Sequence, residues 1–232
     1  MTNKKYKAFI SYSHADIKFG RWLQRKIENY KIPKKLREKY PHLPKDLKRS
    51  IFRDEEELPS SSALPDNLTH ALESSEFLIV IASPYSCSSK WVTKEISYFK
   101  QYHGNAQVLA IIKEGEPYAK EGQLEAFPPA LIANGAEPIA GDARSFGGRK
   151  RAIMKVIAGL LQVDFADLWE REKKEKRKRV LWSGFILGLF ILLSFYALSQ
   201  FQGNIVNEEL IKIEKEIGEI EYALNHMVVV EE

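Results

Sequence analysis

The sequence predicts an α/β domain built on a mainly parallel sheet, followed by an apolar segment long enough to cross a membrane. Short apolar runs alternate with amphipathic segments along residues 1–165. This alternation is typical of parallel sheets joined by right-handed crossovers. Residues 77–82 form a continuous apolar run, which indicates a strand covered by helices on both faces. Residues 180–201 are almost wholly apolar and differ from everything in the domain.

The spacing of apolar residues predicts the elements of the domain in order. The stretch 31–49 is rich in lysine and proline and is interpreted as a loop or insertion, and residues 53–65 as a polar, acidic loop. By analogy, we expect the flavodoxin-like strand order 2-1-3-4-5, with ligands at the carboxyl ends of strands 1 and 3. The predicted strands are residues 6–12, 50–52, 77–82, 108–112 and 137–140, and the predicted helices are residues 16–30, 66–73, 88–102 and 149–161.

Composition disfavours several classes of function. The 232 residues carry a formal net charge of only +4, so we expect no nucleic-acid partner, because such domains usually have a strongly basic face. A single cysteine, Cys87, allows no intrachain disulfide. The five histidines are scattered, and their spacing predicts no metal site. The chain also lacks the glycine-rich loops that hold nucleotide phosphates.

Residues 180–201 are predicted to be a single transmembrane helix. About 20 helical residues cover the roughly 30 Å hydrocarbon core of a bilayer. Basic residues crowd the connector at 166–179, whereas the first charges after the apolar segment are Glu208 and Glu209. The positive-inside rule therefore predicts a single-pass membrane protein with its N-terminal domain in the cytoplasm. A buried core helix is the less favoured alternative, and the connector is either a solvated flank or a surface for anionic lipid.

Residues 205–228 have the pattern of a short coiled coil. Apolar residues recur at alternating spacings of four and three, and Glu and Lys fill most other positions. We expect this helix to promote self-association; the alternative is an amphipathic helix that packs on the membrane or on another protein. The seam consists of Val206, Leu210, Ile213, Ile217, Ile220, Leu224 and Met227.

Three motifs in the domain carry a family resemblance. The first is Lys7-Ala8-Phe9-Ile10-Ser11-Tyr12-Ser13, and the second is Phe52-Arg53-Asp54 followed by Leu58-Pro59. The third is Ser83-Pro84-Tyr85-Ser86 followed by Ser89-Lys90-Trp91-Val92-Thr93-Lys94-Glu95-Ile96. In this order they resemble the signatures of Toll/interleukin-1 receptor (TIR) domains, and the likeness is expected to extend to about residue 162. The arrangement is similar to bacterial TIR proteins with a membrane helix.

The resemblance implies one of two activities. Many bacterial TIR domains cleave the nicotinamide–ribose bond of NAD, giving ADP-ribose or a cyclised product, and their essential glutamate corresponds to Glu95. Cleavage builds positive charge on the ribose, which a carboxylate can stabilise. NAD is then a substrate, and no cofactor is implied. The residues expected to line the substrate crevice are Tyr12, Ser13, Arg53, Asp54, Ser83 and Trp91.

The other activity that the resemblance implies is that of a scaffold, which assembles with further TIR domains and performs no chemistry. The loop 53–65, with its run Glu55-Glu56-Glu57, would then be the docking element. The alternatives for the single residues are that Glu95 is a solvated helix residue, that Trp91 belongs to the core, and that Arg53 and Asp54 pair with one another or cap the loop. A defence role with activity gated by clustering accompanies the enzyme hypothesis. A receptor whose outer helix senses a signal is a third, weaker hypothesis.

Overall fold

The computed structural model describes residues 5–54, 64–135, 137–145 and 148–229. The chain divides into two compact units, residues 1–172 and residues 173–232. The acidic run at Glu55-Glu56-Glu57 and the residues Leu58-Pro59 of the second motif lie outside the described residues.

A five-stranded, wholly parallel sheet forms the centre of the first unit. Its order is β2-β1-β3-β4-β5, which confirms the predicted 2-1-3-4-5 order. In register, Ile10 lies opposite both Arg53 and Ile79, so the carboxyl ends of neighbouring strands meet at one edge. The strands are β1 (Tyr6–Ser11), β2 (Ile51–Arg53), β3 (Ser75–Ala82), β4 (Val108–Ile112) and β5 (Ile139–Asp142).

Helices cover both faces of this sheet, as the apolar strands require. Alternate residues of β3 serve the two faces: Ile79 and Ile81 join one buried cluster, and Leu78 and Val80 join the other. The period of two in a strand explains this division. The helices are α1 (Ile17–Glu28), α2 (Lys34–Lys39), α3 (Asp66–Glu73), α4 (Pro84–Ser88), α5 (Lys90–His103), α6 (Pro129–Ile132), α7 (Gly148–Leu161) and α8 (Phe165–Val229).

The stretch 31–49 is more ordered than the predicted loop. It contains helix α2, whose Leu36 is fully buried in the cluster that also holds Leu161 and Leu168. The lysine and proline content concealed four apolar residues spaced for burial, Ile32, Leu36, Leu43 and Leu47. Burial of such side chains stabilises a segment more than its propensity disfavours it.

Helix α8 includes a stretch with the length and composition of a membrane-crossing helix. Val180–Leu198 spans 19 residues with a mean hydropathy of 2.1, and none of it is buried inside the protein. The seam residues Leu210, Ile213, Ile217 and Ile220 belong to the same continuous helix and are exposed. The side chains of the other seam residues lie outside the described part.

Candidate functional site

The candidate site lies at the carboxyl edge of the sheet. Ser11 ends β1, Arg53 ends β2, Ser83 follows β3 and Lys113 follows β4. Ligands bind at this edge in doubly wound sheets, near the point where the strand order reverses. Here that point lies between β1 and β3, because β1 connects outward to β2 while β3 connects to β4.

Glu95 reaches this edge from helix α5. Ser89 begins the helix by accepting a hydrogen bond from the Val92 backbone N–H, and Glu95 lies on the helix face that packs against the sheet. Its side chain is only 5% exposed. The Ser11 hydroxyl donates a 2.5 Å hydrogen bond to Glu95 Oε2. A glutamate of an amphipathic helix is ordinarily solvated, so the fold has placed this carboxyl in an uncommon position.

The surroundings of Glu95 favour its neutral form. The pKa of the Glu95 carboxyl is raised to about 8, chiefly by burial, and the negative charge of Asp54 contributes in the same direction. The hydrogen bond from Ser11 acts in the opposite direction and lowers this pKa. Strongly shifted carboxyls in clefts are typical of functional sites.

Tyr12, Arg53 and Asp54 form a connected group beside Glu95. The Tyr12 hydroxyl donates to the backbone carbonyl of Asp54 and accepts a 3.1 Å hydrogen bond from Arg53 Nη1. The Arg53 guanidinium also donates from Nε to Gln24 Oε1 at 3.1 Å. These contacts fix the end of β2 against the segment that leaves β1.

A glycine in α1 lets that helix approach this group. A Cβ at Gly20 would lie 3.4 Å from Arg53 Cδ and 3.6 Å from a ring carbon of Tyr12. The first distance is at the limit of ordinary van der Waals contact. A larger side chain at Gly20 would therefore displace Arg53 or Tyr12.

A second buried carboxyl, Asp16, occupies the same edge of the sheet. Its side chain is fully buried, with Ser83 Oγ donating to Oδ2 and Lys113 Nζ donating to Oδ1, both at 2.5 Å. Ser83 also begins α4 through a reciprocal pair of hydrogen bonds with Ser86. This arrangement links the chain segments that leave β1, β3 and β4.

The predicted site residues are thus only partly brought together. Tyr12, Arg53 and Asp54 bond to one another, and the charge of Asp54 acts on Glu95, whereas Ser83 belongs to the Asp16 network. Ser13 precedes the short 3₁₀ helix His14–Asp16, where its backbone carbonyl accepts from the Asp16 N–H at 2.7 Å. Trp91 is half-buried, and the Lys94 ammonium lies 4.5 Å from its ring centroid.

Sequence reasoning missed Ser11, Asp16 and Lys113 as site residues. Lys113 follows a strong apolar strand in the same way that Ser83 follows β3, so the rule that ligands bind at carboxyl ends could have identified it. Asp16 had no local signal, because its partners come from distant parts of the chain. Within the described residues, no group of three or more His, Cys, Asp or Glu side chains is placed to hold a metal ion.

Known proteins share parts of this sequence and fold. A family model described as "TIR domain" matches residues 8–132. The NAD(+) hydrolase ApTIR of Actinoplanes sp. is 36% identical over an alignment of 135 residues, which covers 55% of this chain but only 18% of that protein's length. The TIR domains of the activated Roq1 resistosome, in a structure described as directly recognizing the pathogen effector XopQ, align at 22% identity with a TM-score of 0.35. That alignment covers 49% of this chain and 60% of the other.

Proposed function

The chain belongs to the TIR domain family, and from this premise we propose that it cleaves NAD at the nicotinamide–ribose bond. The observation that carries the proposal is Glu95, a nearly buried carboxyl with a raised pKa at the ligand-binding edge of the sheet. The likeness of the chain to an NAD(+) hydrolase over 135 residues supports the same chemistry. The product is ADP-ribose or a cyclised form.

Glu95 supplies electrostatic stabilisation in the proposed reaction. The bond between ribose and the nicotinamide nitrogen breaks, its electron pair leaves with neutral nicotinamide, and positive charge develops on the ribose. A carboxylate beside the ribose lowers the energy of that state. Water, or a nucleophile from the same molecule, then completes the reaction on the ribose carbon.

The raised pKa of Glu95 couples this step to substrate binding. With a pKa of about 8, Glu95 is protonated in most molecules at pH 7. The nicotinamide ring of NAD is a cation, and a positive charge close to a carboxyl favours its ionised form. Substrate binding therefore generates the carboxylate that the reaction needs. At NAD concentrations well below KM, where the free protein determines the rate, activity should increase with pH up to about 8.

Tyr12, Arg53 and Asp54 define the proposed substrate-binding group. Their hydrogen bonds hold the ends of β1 and β2 next to Glu95, where the Arg53 guanidinium can pair with a phosphate and the Asp54 carboxylate with a hydroxyl. Ser13, Ser83 and Trp91 complete the proposed set at the rim. NAD is the substrate, and no cofactor is required for the chemistry.

Clustering is the proposed trigger, because Glu95 is closed to solvent in a single copy. We place the domain on the cytoplasmic side of the inner membrane, anchored through Val180–Leu198, with self-association through the TIR domain and the seam in α8. A membrane tether raises the effective concentration of neighbouring copies. This arrangement suits a defence response in which an infection signal gathers many copies.

The decisive experiment follows NAD consumption by the full chain in liposomes, with and without forced clustering. Glu95→Gln should reduce the rate at least about 100-fold, because a positioned electrostatic group is removed. The matched control is Glu121→Gln, an exposed loop carboxyl, which should retain the wild-type rate. Equal NAD loss by Glu95→Gln and wild type in a clustered, active preparation would falsify the assignment.

Membrane anchoring is tested separately. Leu189→Arg combined with Leu192→Arg should release the chain from liposomes, because each central arginine opposes insertion by about 3 kcal/mol. The same two positions changed to alanine should leave it membrane-bound. Flotation on a density gradient distinguishes the two results, and flotation of the arginine variant would contradict the anchor.

The second candidate function is a non-enzymatic scaffold, and the low exposure of Glu95 favours it. A carboxyl bonded to Ser11 and closed to solvent can act as a structural group of the sheet edge. In that case Glu95→Gln leaves partner capture intact, whereas charge reversal at Glu55-Glu56-Glu57 abolishes it. Co-precipitation of two differently tagged copies measures this outcome.

A further inference from the structure

The basic residues of the domain are concentrated in one stretch. Residues 17–49, named here the basic segment, contain twelve Lys and Arg against three Asp and Glu, a net charge of +9. Residues 50–172 contain twelve against eighteen, a net charge of −6. The modest charge of the whole chain therefore conceals a strong asymmetry within the domain. Such a patch determines which charged surfaces a protein approaches.

The fold holds these charges in solvent. Eleven of the twelve basic side chains are exposed. On helix α1, Lys18, Arg21 and Arg25 form an exposed stripe, while Leu23 and Ile27 on the opposite face are fully buried. The spacing of three and four residues places the three cations on one face of the helix.

The second half of the basic segment is fixed to the domain rather than free. Leu36 and Leu47 are buried in the core. Lys39 forms an ion pair with Asp167, and the Tyr40 hydroxyl donates a 2.7 Å hydrogen bond to the same carboxylate. The remaining cations of this half, Lys34 and Lys48 among them, consequently belong to a folded surface.

The aromatic content of the basic segment argues against a nucleic-acid partner. Its four aromatic side chains, Phe19, Trp22, Tyr30 and Tyr40, are all half-buried. Proteins that bind single strands usually stack bases on exposed aromatic rings. The basic segment offers charge without a stacking platform, which suits a surface recognised by charge alone.

The basic segment is bonded to a residue that lies close in sequence to the apolar span. Asp167, to which the basic segment is bonded, precedes Val180 by thirteen residues. Residues 173–179 add six basic residues against one acidic residue immediately before the span. Anionic lipid attracts basic residues only within about a Debye length of the surface.

We propose that the basic segment is a docking surface for the anionic leaflet of the membrane in which the chain is anchored. The proposal rests on the membrane anchoring proposed above. Docking turns the less basic remainder of the domain, including its acidic residues, away from the lipid, because a negatively charged leaflet repels them. Contact is electrostatic, so it strengthens with anionic lipid and weakens with salt.

The test uses the full chain reconstituted in vesicles. A fluorophore is attached through Lys45→Cys in a Cys87→Ser background, and lipids with a quencher on the headgroup report its approach to the bilayer. Quenching should be about twofold stronger when phosphatidylserine is added to phosphatidylcholine. The difference should disappear at about 1 M salt, where the Debye length is about 3 Å.

Two charge-matched variants sharpen the result. Lys34→Glu with Lys48→Glu should abolish the phosphatidylserine effect. Lys90→Glu with Lys120→Glu changes the net charge equally at exposed positions outside the basic segment and should preserve it. The proposal is overturned if quenching is equal with and without phosphatidylserine. It is also overturned if the two double variants lose the phosphatidylserine effect equally.

Two further readouts distinguish lipid docking from a lost anchor and from nucleic-acid binding. Flotation with pure phosphatidylcholine vesicles tests whether the chain is anchored in the bilayer. Failure to float would refute the anchoring and therefore also the docking of an anchored domain. Duplex DNA and single-stranded RNA are added to the same vesicles at physiological salt. Binding that is lost in Lys34→Glu with Lys48→Glu would make nucleic acid the partner and would refute the lipid assignment. NAD turnover is not needed for any of these measurements.

Discussion

Two buried carboxyls at one edge of the sheet have opposite surroundings. Asp16 contacts the Lys113 ammonium and the Ser83 hydroxyl, each at 2.5 Å. Glu95 has a hydroxyl donor in Ser11, while the nearby charge of Asp54 is of its own sign. The negative charge of Asp16 is therefore compensated by the Lys113 cation. For Glu95, burial and the charge of Asp54 raise the pKa more than the Ser11 hydrogen bond lowers it.

This difference separates structural from functional roles. A buried carboxylate paired with a cation ties chain segments together. A buried carboxyl whose ionisation is disfavoured keeps its proton, and it loses that proton when a cation binds beside it. We therefore assign Asp16 to holding the ends of β1, β3 and β4, and Glu95 to the chemistry.

The largest effect on stability is expected at Asp16. Asp16→Asn leaves Lys113, which is mostly buried, without a carboxylate. Removing one partner of a buried pair typically destabilises by about 3–5 kcal/mol; because Lys113 remains partly in solvent, we expect about 3 kcal/mol. Urea unfolding of the domain, followed by tryptophan fluorescence in detergent, measures this change.

The control for Asp16 is Asp142→Asn at the end of β5. Asp142 pairs with Arg144 at 2.8 Å, but its side chain is 47% exposed. Exposed pairs contribute about 0–1 kcal/mol, so this variant should unfold close to the wild type. If both variants lost the same stability, burial and compensation would not distinguish the two sites.

The pH dependence of stability provides the next prediction. In the unfolded chain Glu95 loses its proton above its ordinary pKa of 4.5, whereas the folded protein retains it up to about pH 8. The unfolded state therefore gains stability as pH increases through this window, and the folded protein becomes relatively less stable. Above pH 8 both states are ionised, and the loss is complete.

Glu95→Gln removes that titration. The variant should match the wild type at about pH 4, where Glu95 is mostly neutral in both the folded and the unfolded state, and should exceed it by about 2 kcal/mol at pH 9. The full pKa shift of Glu95 corresponds to a larger free-energy difference, but water that enters beside the ionised carboxylate reduces this difference. Urea unfolding at both pH values measures the difference. If the difference in unfolding free energy between Glu95→Gln and the wild type were the same at both pH values, the raised pKa would be contradicted.

Much of the scaffold follows from local sequence pattern, but the state of the site does not. The apolar runs of β1, β3 and β4 predict the strands, and the motif around Glu95 predicts that this residue matters. Glu95 is buried by tertiary packing, and its hydrogen-bond partner Ser11 lies 84 residues away in the sequence. The Asp16–Lys113 contact joins residues 97 positions apart. The partners that compensate a buried charge come from distant parts of the sequence. Local periodicity and local motifs therefore cannot predict them.

The prediction with the smallest effect concerns Ser11. Ser11→Ala removes the hydrogen bond that lowers the pKa of Glu95, leaving burial and Asp54, which both raise it. The pH profile of NAD cleavage should move to higher pH. Loss of the hydroxyl should destabilise the protein by about 1 kcal/mol.

Ser75→Ala is the matched control, because Ser75 is an equally buried strand serine that donates to the Ala71 carbonyl at 2.7 Å. It should lose similar stability without moving the pH profile of NAD cleavage, since its hydroxyl is bonded at the opposite end of the strand from Glu95. A profile displaced equally by both serine variants would mean that the shift reflects general loosening of the sheet. A profile displaced by Ser11→Ala alone would show that Glu95 titrates in the reaction and that the Ser11 hydroxyl adjusts its pKa.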